Sequence, residues 1–422
     1  MLTAPASQAA QGIRLESSFT TQNGTIPFAS LTAASGEVYY GTTISEADNM
    51  YGGVYKFSSA TGAINLLGSF NPSLGTVPYA SLTAVGGGLY LGTTYSGGSH
   101  DQGGVFSFDS GTGSIRLLDS FKGTNGAYPY ASLISAGGGL FYGTTYSGGA
   151  SDLGGVFAFD SGTERITLLD SFSGTNGSNP LAALTPAGGD LYYGTVGHGG
   201  TEDMGGIYAF DSLSGTITLK ASFTGADGAV PHASLTAAGG GLFYGTTRFG
   251  GATSQGGVFG FDSTTNTILL LDSFTGTNGS SPYAGLTAAG GGLYYGTTNT
   301  GGTHNLGTVF AFNSIAGAIA SLDSFTGANG AKPLSGLTAG EDGLYYGTTT
   351  LGGTENAGAI YSFNPVPGPL PLLGAGVMLN WSRRLRQRTR RTEILHRQPM
   401  AQRMPEGRGA RNQEPGRPKT LA

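Results

Sequence analysis

The chain has 422 residues, of which 11% are charged, and it contains 78 Gly, 22 Phe and 21 Tyr but no Cys. The Gly content disfavours helix, and the absence of Cys excludes disulfides, thiolate metal sites and a Cys nucleophile. Residues 1–364 carry 8 Lys and Arg against 22 Asp and Glu, and this acidic balance argues against nucleic-acid binding by the body of the chain.

Residues 1–12 resemble the end of an export leader. They lack the basic and apolar regions of a complete signal peptide, but residues 4–9 (APASQA) have the small side chains found near a cleavage site. We therefore expect residues 1–12 to be the remnant of a leader whose true start lies upstream of Met1.

A repeat of 51 residues dominates the chain from residue 13 onward. The Gly of a Tyr-Gly-Thr-Thr motif recurs at this step, without insertion or deletion, at Gly41, Gly92, Gly143, Gly194, Gly245, Gly296 and Gly347. Seven copies in one register indicate propeller blades or an array, because those architectures use repeats of about 40–50 residues.

One unit contains four strand-like segments joined by connections rich in Gly, Asn, Asp and Ser. The strands are predicted at residues 129–135 (PYASLIS), 140–145 (LFYGTT), 156–159 (VFAF) and 166–172 (ITLLDSF). The last segment is the most polar, as expected of an outer strand. Four strands with short loops predict an up-and-down meander, and stacking such sheets around an axis covers both faces of each sheet.

The two ends of the repeat region complement each other. Residues 13–19 are a fourth strand without the first three, and residues 359–363 are a third strand without a fourth. We predict that they join in one sheet. The predicted fold is therefore all-β: a seven-bladed β-propeller of four-stranded blades over residues 13–364, closed by the N-terminal strand, which completes the last blade.

Loop lengths predict where binding occurs. In a meander, the turns at residues 136–139 and 160–163 share one face, and the long connections at residues 146–155 and 173–179 share the other, here called the long-loop face. The long loops differ between units, and variable loops on a rigid scaffold commonly carry binding. The candidate binding residues on this face are His100, Asp101, Asp152, Asp203, His304, Asn305 and Asn356.

Other roles are open to the polar residues. The loop column Asn49, His100, Ser151, Glu202, Thr253, His304 and Glu355 contains only two His, so no metal site is predicted. The next residue is Asp or Asn in five of the seven loops, and this pattern favours bonding to the local backbone over Ca²⁺ binding. The outer-strand residues Asp119, Asp170, Asp272 and Asp323 are interpreted as solvated groups that discourage edge pairing. Because no Ser-His-Asp set or carboxylate pair interrupts the repeat, we predict no catalytic residues, no cofactor and no enzyme activity.

The repeat unit, written G-G-L-Y-Y-G-T-T, then G-G-V-F-x-F-D and S-F-x-G-x-N-G-x-x-P, resembles a known family. It is similar to the GloVer (Gloeobacter/Verrucomicrobia-type) tandem repeat of exported bacterial proteins over about residues 13–364. The resemblance implies an architecture and not an activity.

A different pattern follows the repeats, in which a Pro-rich motif and an apolar run precede an Arg cluster. Its motif residues are Val366, Pro367, Pro369, Leu370, Pro371, Arg383, Arg384 and Arg386. This pattern resembles the PEP-CTERM sorting signal. The resemblance implies that residues 365–391 are a sorting and membrane-anchor segment recognised by an exosortase-type enzyme of a Gram-negative bacterium. Residues 392–422 are then a disordered basic tail; a Pro-rich linker with a basic tail is the alternative for the whole segment.

Together these patterns predict an exported protein of the cell surface or extracellular matrix, transiently anchored in the membrane. It would bind polysaccharide or a surface partner through the long-loop face, without catalysis. A purely structural role in the matrix and a polysaccharide hydrolase or lyase activity are the alternatives.

Overall fold

A computed structural model of the protein describes residues 12–46 and 50–365. The start of the predicted leader (residues 1–11), the loop residue Asn49, the predicted sorting motif from residue 366 and the basic tail lie outside the described residues. No helix occurs in the described part, so none there is long and apolar enough to cross a membrane.

The described residues form 29 strands. They are β1 (Gly12–Ser18), β2 (Thr25–Pro27), β3 (Thr32–Ala33), β4 (Val38–Ser45), β5 (Gly53–Ser58), β6 (Ala63–Ser69), β7 (Thr83–Gly86), β8 (Leu89–Thr94), β9 (Gly104–Asp109), β10 (Ser114–Ser120), β11 (Ile134–Gly137), β12 (Leu140–Thr145), β13 (Gly155–Asp160), β14 (Arg165–Ser171), β15 (Thr185–Gly188), β16 (Leu191–Val196), β17 (Gly206–Asp211), β18 (Thr216–Ser222), β19 (Thr236–Gly239), β20 (Leu242–Thr247), β21 (Gly257–Asp262), β22 (Thr267–Ser273), β23 (Thr287–Gly290), β24 (Leu293–Thr298), β25 (Thr308–Asn313), β26 (Ala318–Ser324), β27 (Thr338–Ala339), β28 (Tyr345–Thr349) and β29 (Ala359–Asn364).

The strands form seven antiparallel sheets, one for each repeat, and the sheets form a ring. Blades 1 to 6 follow the chain from β2 to β26, and blade 7 has the order β27-β28-β29-β1. Strand β1 pairs with β29, with Ile13 opposite Phe363. The chain is therefore a seven-bladed β-propeller closed by its N-terminal strand, as the sequence predicts.

The innermost strand of each blade differs from its prediction. In blade 3 the prediction was residues 129–135, but the strand β11 covers Ile134–Gly137. Residues 129–133 lie along the central channel without continuing the ladder, because Pro129 has no N–H to donate and Tyr128 adopts a left-handed φ of 55°. The carbonyl of Ala131 accepts instead from the hydroxyl of Thr93 in blade 2.

The Thr–carbonyl bond across the blade boundary recurs at all seven boundaries. In each, the first Thr of the Tyr-Gly-Thr-Thr motif donates to a channel-segment carbonyl of the next blade, at 2.9–3.4 Å. The donors are Thr42, Thr93, Thr144, Thr195, Thr246, Thr297 and Thr348. The bond from Thr348 to Ala29 crosses the closure of the ring. The motif Thr thus joins each blade to the next.

Outer-strand Asp residues also join neighbouring blades, which corrects the interpretation of these groups as solvated. The Oδ1 of Asp170 accepts from the backbone N–H of Ser171, and its Oδ2 accepts from the N–H of Ile217 in the next blade, at 2.8 and 2.7 Å. The same two bonds are made by Asp119, Asp272 and Asp323. Asp323 holds Ile13 and so secures the N-terminal strand. A carboxylate with two oxygens can satisfy donors on two blades at once.

The motif Gly allows an aromatic ring to cross the strand that contains it. Gly143 lies opposite Phe157, and a Cβ at Gly143 would stand 2.5 Å from the Cζ of that ring. Phe157 is fully buried and packs edge-on against Phe121. Any side chain at Gly143 would displace this ring from the core between blades.

Three blades have Tyr at the position of Phe157, and their hydroxyls lack partners. The hydroxyl groups of Tyr55, Tyr208 and Tyr361 are buried over the motif Gly of their blades and have no hydrogen-bond partner. Burial raises the pKa of each phenol. A buried polar group without a partner is destabilising by about 1–3 kcal/mol.

We predict that Tyr208→Phe raises the free energy of unfolding by about 1 kcal/mol, because it removes an unpartnered buried hydroxyl and keeps the ring. The measurement is chemical denaturation followed by tyrosine fluorescence or circular dichroism. The reciprocal variant Phe157→Tyr is expected to lower the free energy by a similar amount. A loss of stability in Tyr208→Phe would show that the hydroxyl has a favourable partner.

Candidate functional site at the channel mouth

The long connections open on one face of the ring, around one end of the central channel. In blade 3, β12 ends at Thr145 and its long loop begins at Tyr146, beside the start of the inner segment, where Ala127 pairs with Ser147. The turns that join β11 to β12 and β13 to β14 lie at the other ends of these strands. Because the strands are antiparallel, the long loops share one face of the ring and the short turns share the other, as the sequence predicts.

The candidate loop residues are exposed and do not converge. His100 and Asp101 lie in blade 2, and His304 and Asn305 lie in blade 6. The remaining candidates, Asp152, Asp203 and Asn356, each occupy a different blade. Within residues 12–46 and 50–365, no group of three His, Asp or Glu side chains is arranged to hold a metal ion.

The Asp and Asn members of this set bind their own loops. The Oδ1 of Asp152 accepts from the N–H of Gly148 at 2.8 Å, and Asp101, Asp203, Asn305 and Asn356 make the equivalent bond at 2.7–2.9 Å. All five have left-handed backbones with φ of 53–56°. Asp and Asn tolerate this conformation better than most residues. These side chains therefore shape the loops from within.

The central channel contains a cavity of about 380 Å³. One position of the unit, the second residue of the Pro-Tyr-Ala-Ser segment, contributes a side chain from every blade to its wall. We call these residues the channel column: Phe28, Tyr79, Tyr130, Leu181, His232, Tyr283 and Leu334. The side chains of this ring differ from blade to blade around the axis.

The column is aromatic on the side of blades 1 to 3. The rings of Tyr79 and Tyr130 stack in parallel with centroids 4.4 Å apart, and Phe28 meets Tyr79 edge-on at 4.7 Å. Tyr95 and Tyr146, the first residues of two long loops, contact Tyr130 from the long-loop face at 5.3 and 6.2 Å. These five residues form the aromatic half of the mouth. All five are half-buried.

The opposite side, in blades 5 to 7, carries cations. The guanidinium of Arg248 lies 4.5 Å from the ring centre of Phe249 and 4.7 Å from that of Tyr283. His232 contacts Tyr283, with ring centroids 4.8 Å apart. Lys332 stands just before the channel segment of blade 7, and its Nζ donates to the carbonyl of Asn305 at 3.0 Å. These residues form the cationic half of the mouth.

The imidazole of His232 is held neutral. Burial lowers its pKa, and the positive charges of Arg248 and His198 lower it further, to about 4. No negative charge acts on it to compensate. His232 is thus uncharged at neutral pH, while Arg248 retains its charge beside it.

The mouth contains no carboxylate in the four positions of the unit that form it, although the body of the chain is acidic. These positions are represented in blade 5 by Val230, His232, Ser234 and Arg248, and none of their equivalents in the seven blades is Asp or Glu. Among the described residues, Arg248 forms no ion pair, and its Nε is buried without a hydrogen-bond partner. Its charge is therefore uncompensated.

The mouth was missed at the sequence level. The repeat pattern gave no role to His232, but this residue lies half-buried in the channel wall. Arg248 was not considered, although it stands where blades 2 and 3 have Tyr95 and Tyr146. The sequence does contain a signal for the mouth. In the channel column the residue type changes from blade to blade, whereas the Pro before it and the Ala after it hardly change.

Comparison with known families finds one match. The Gloeobacter/Verrucomicrobia repeat model matches residues 6–141, 86–294 and 192–373, which together cover most of the chain. No curated protein is similar enough in sequence to count as a relative.

Solved structures show the same fold at low sequence identity. The extracellular domain of a hybrid two-component system from B. thetaiotaomicron has a TM-score of 0.56 at 9% identity, and the match covers 85% of this chain and 40% of that chain. Oligogalacturonate lyase from Vibrio parahaemolyticus has a TM-score of 0.50 at 9% identity, with 86% and 95% covered. TolB from Acinetobacter baumannii has a TM-score of 0.42 at 17% identity, and this chain spans 60% of its length. The first two likenesses support the fold alone, and the third supports no conclusion about this chain.

The geometry of the mouth predicts the titration of His232. In the intact protein its imidazole should titrate near pH 4 by NMR, well below the usual 6.5. Arg248→Gln should raise this pKa, because a positive neighbour is removed, but should not restore 6.5, because burial remains. An unchanged pKa in Arg248→Gln would place the guanidinium away from the imidazole.

Proposed function

The chain is a member of the Gloeobacter/Verrucomicrobia repeat family, and we propose that it is an exported, non-catalytic protein of the cell surface or extracellular matrix that binds polysaccharide through the long-loop face. The observation that carries this proposal is the aromatic half of the channel mouth. Tyr79, Tyr95, Tyr130 and Tyr146 meet there on the face that bears the long loops.

Aromatic rings at a concave site suit the binding of sugar rings. The apolar faces of sugars pack on aromatic rings, and Tyr also has a hydroxyl that can bond to sugar hydroxyls. The four Tyr are half-buried, so each ring is fixed by its neighbours while part of it faces the mouth. A fixed ring loses little conformational entropy on binding, which favours recognition of an extended chain.

The proposal of a non-catalytic role rests on the chemistry of the mouth. Most glycoside hydrolases use two carboxyl groups on either side of the scissile bond. The positions that form this mouth supply none in any blade. Binding without cleavage is the function that the remaining groups support best.

The proposal of export rests on the sequence after the repeats. The motif at Val366, Pro367, Pro369 and Leu370, with the Arg cluster beyond it, has the order of a sorting signal. An exosortase-type enzyme would recognise this segment in the membrane and remove the tail. The Arg cluster favours a cytoplasmic C-terminus, which would leave the propeller on the outer side of that membrane.

Tyr130→Ala is expected to weaken polysaccharide binding by about tenfold or more, because it removes the ring at the centre of the aromatic half. Tyr130→Phe, which keeps the ring, should bind nearly as wild type. The measurement is a glycan array followed by titration calorimetry on the best oligosaccharide. Leu213→Ala, in an exposed turn on the opposite face, is the control and should have no effect.

Two results would contradict this proposal. One is the absence of binding to any glycan by the folded wild-type protein. The other is release of new reducing ends or unsaturated sugars from a bound polysaccharide, which would establish an enzyme.

Removal of residues 366–391 is expected to abolish C-terminal processing in a host that has an exosortase. The wild-type protein should be recovered outside the cell without its basic tail, as judged by mass spectrometry of the mature C-terminus. Replacing Arg383, Arg384 and Arg386 together by Gln should impair the same step. Secreted wild-type protein with an intact tail would rule out this sorting route.

A further inference from the structure

We propose that the channel mouth selects an acidic oligosaccharide, whose carboxylate lies against the guanidinium of Arg248 while a neighbouring sugar ring packs on the aromatic half. This inference rests on the proposed binding of polysaccharide and specifies the class of saccharide. It follows from the arrangement of charge at the mouth.

Arg248 is held in place without being neutralised. Phe249 and Tyr283 lie at 4.5 and 4.7 Å from its guanidinium carbon, so the two rings fix the position of the group. Its Nε is buried without a partner, and no described carboxylate pairs with it. A surface Arg in an acidic protein commonly has an acidic neighbour, as Arg116 has in Glu164 at 2.5 Å. The uncompensated charge of Arg248 therefore favours an anion from outside.

The surroundings of Arg248 strengthen this preference. Both His232 and Arg248 contact Tyr283. The charged groups that shift the pKa of His232 are all positive. The ammonium of Lys332 adds a second cation at the rim in blade 7, although burial lowers its pKa. The loop carboxylates of Asp101, Asp152 and Asp203 on the same face accept hydrogen bonds from N–H groups of their own loops. The mouth is thus a positive site in a body with excess negative charge.

The guanidinium suits a carboxylate. Its planar set of N–H donors matches the two oxygens of a carboxylate, and such charged pairs are stronger than neutral hydrogen bonds. The aromatic half, across the same column, offers Tyr79 and Tyr130 to an uncharged sugar face. An oligomer of uronic acids carries both carboxylates and apolar ring faces. Such a saccharide would bind both the cationic half and the aromatic half of the mouth.

The test compares two ligands of equal length: a uronic-acid hexamer and its fully methyl-esterified form, which lacks the charge. Wild-type protein should bind the acid on the order of tenfold more tightly than the ester by calorimetry at low salt. This preference should decrease in 0.5 M NaCl because of screening. Arg248→Gln should remove the preference and leave binding of the ester unchanged.

Lys122→Gln is the matched control, because it removes one positive charge from an exposed long-loop residue on the same face but outside the mouth. It should preserve the preference for the acid. An equal loss in Lys122→Gln and Arg248→Gln would overturn the assignment and indicate a general effect of net charge. Equal binding of acid and ester by wild type would also overturn it.

The two proposals fail in different ways. If wild-type protein binds neither hexamer nor any neutral glycan, saccharide binding itself is refuted. If it binds acid and ester alike, with loss of both in Tyr130→Ala, the proposed function stands and the selection of acidic sugars by Arg248 is refuted. Thermal denaturation of Arg248→Gln, which should match wild type within a few degrees, shows that the variant is folded.

Discussion

The hydrogen bond from the first motif Thr to the next blade is the contact on which the ring depends. The channel segment of each blade leaves the strand ladder, since it begins with a left-handed residue and a Pro. Its carbonyls are then without ladder partners in a buried position, where an unpaired carbonyl is unfavourable. The hydroxyl of Thr144, for example, satisfies the carbonyl of Ala182. The same bond therefore replaces the ladder partner of the channel segment and fixes each blade to its neighbour.

The left-handed residue before each Pro belongs to the same arrangement. Its φ is 51–57° in all seven blades, including the β-branched residues Ile26, Val77 and Val230, which rarely adopt such values. In every blade its N–H donates to a carbonyl in the long loop of the preceding blade, at 2.8–3.0 Å. The inter-blade bond holds the unfavourable conformation in place. The backbone at the mouth is thereby set by contacts between blades and not by the local residue type.

The fold could be predicted from the sequence because its signals repeat. The 51-residue step, the apolar strand 140–145 and the incomplete units at the two ends determine the number of blades and the closure. The inner strand was placed too early because residues 129–133 have the composition of a strand but use their carbonyls across the blade boundary. The role of Asp170 was missed for a similar reason. Its partner Ile217 is 47 residues away, and only the stacking of blades brings the two together.

The candidate site could be predicted only in part. Loop length predicts the face on which the mouth lies, but the variable loops point to exposed residues such as His100, which do not contact the other candidates. The distinctive residues lie in the channel column and at the first loop position, where the chain deviates from its repeat in single side chains. The meeting of Arg248 with Tyr283 depends on the contact between blades 5 and 6. Sequence spacing alone does not show this contact.

The unequal halves of the mouth have a consequence for stoichiometry. A ring of seven similar blades could in principle present seven equivalent sites, and would then cross-link polymer chains through multivalency. Here the aromatic half and the cationic half each occur once around a single axis, so one ring offers one site with a defined direction. A protein of this kind would decorate a polymer as a monovalent ligand, and networks would form only where several rings are attached to a common surface.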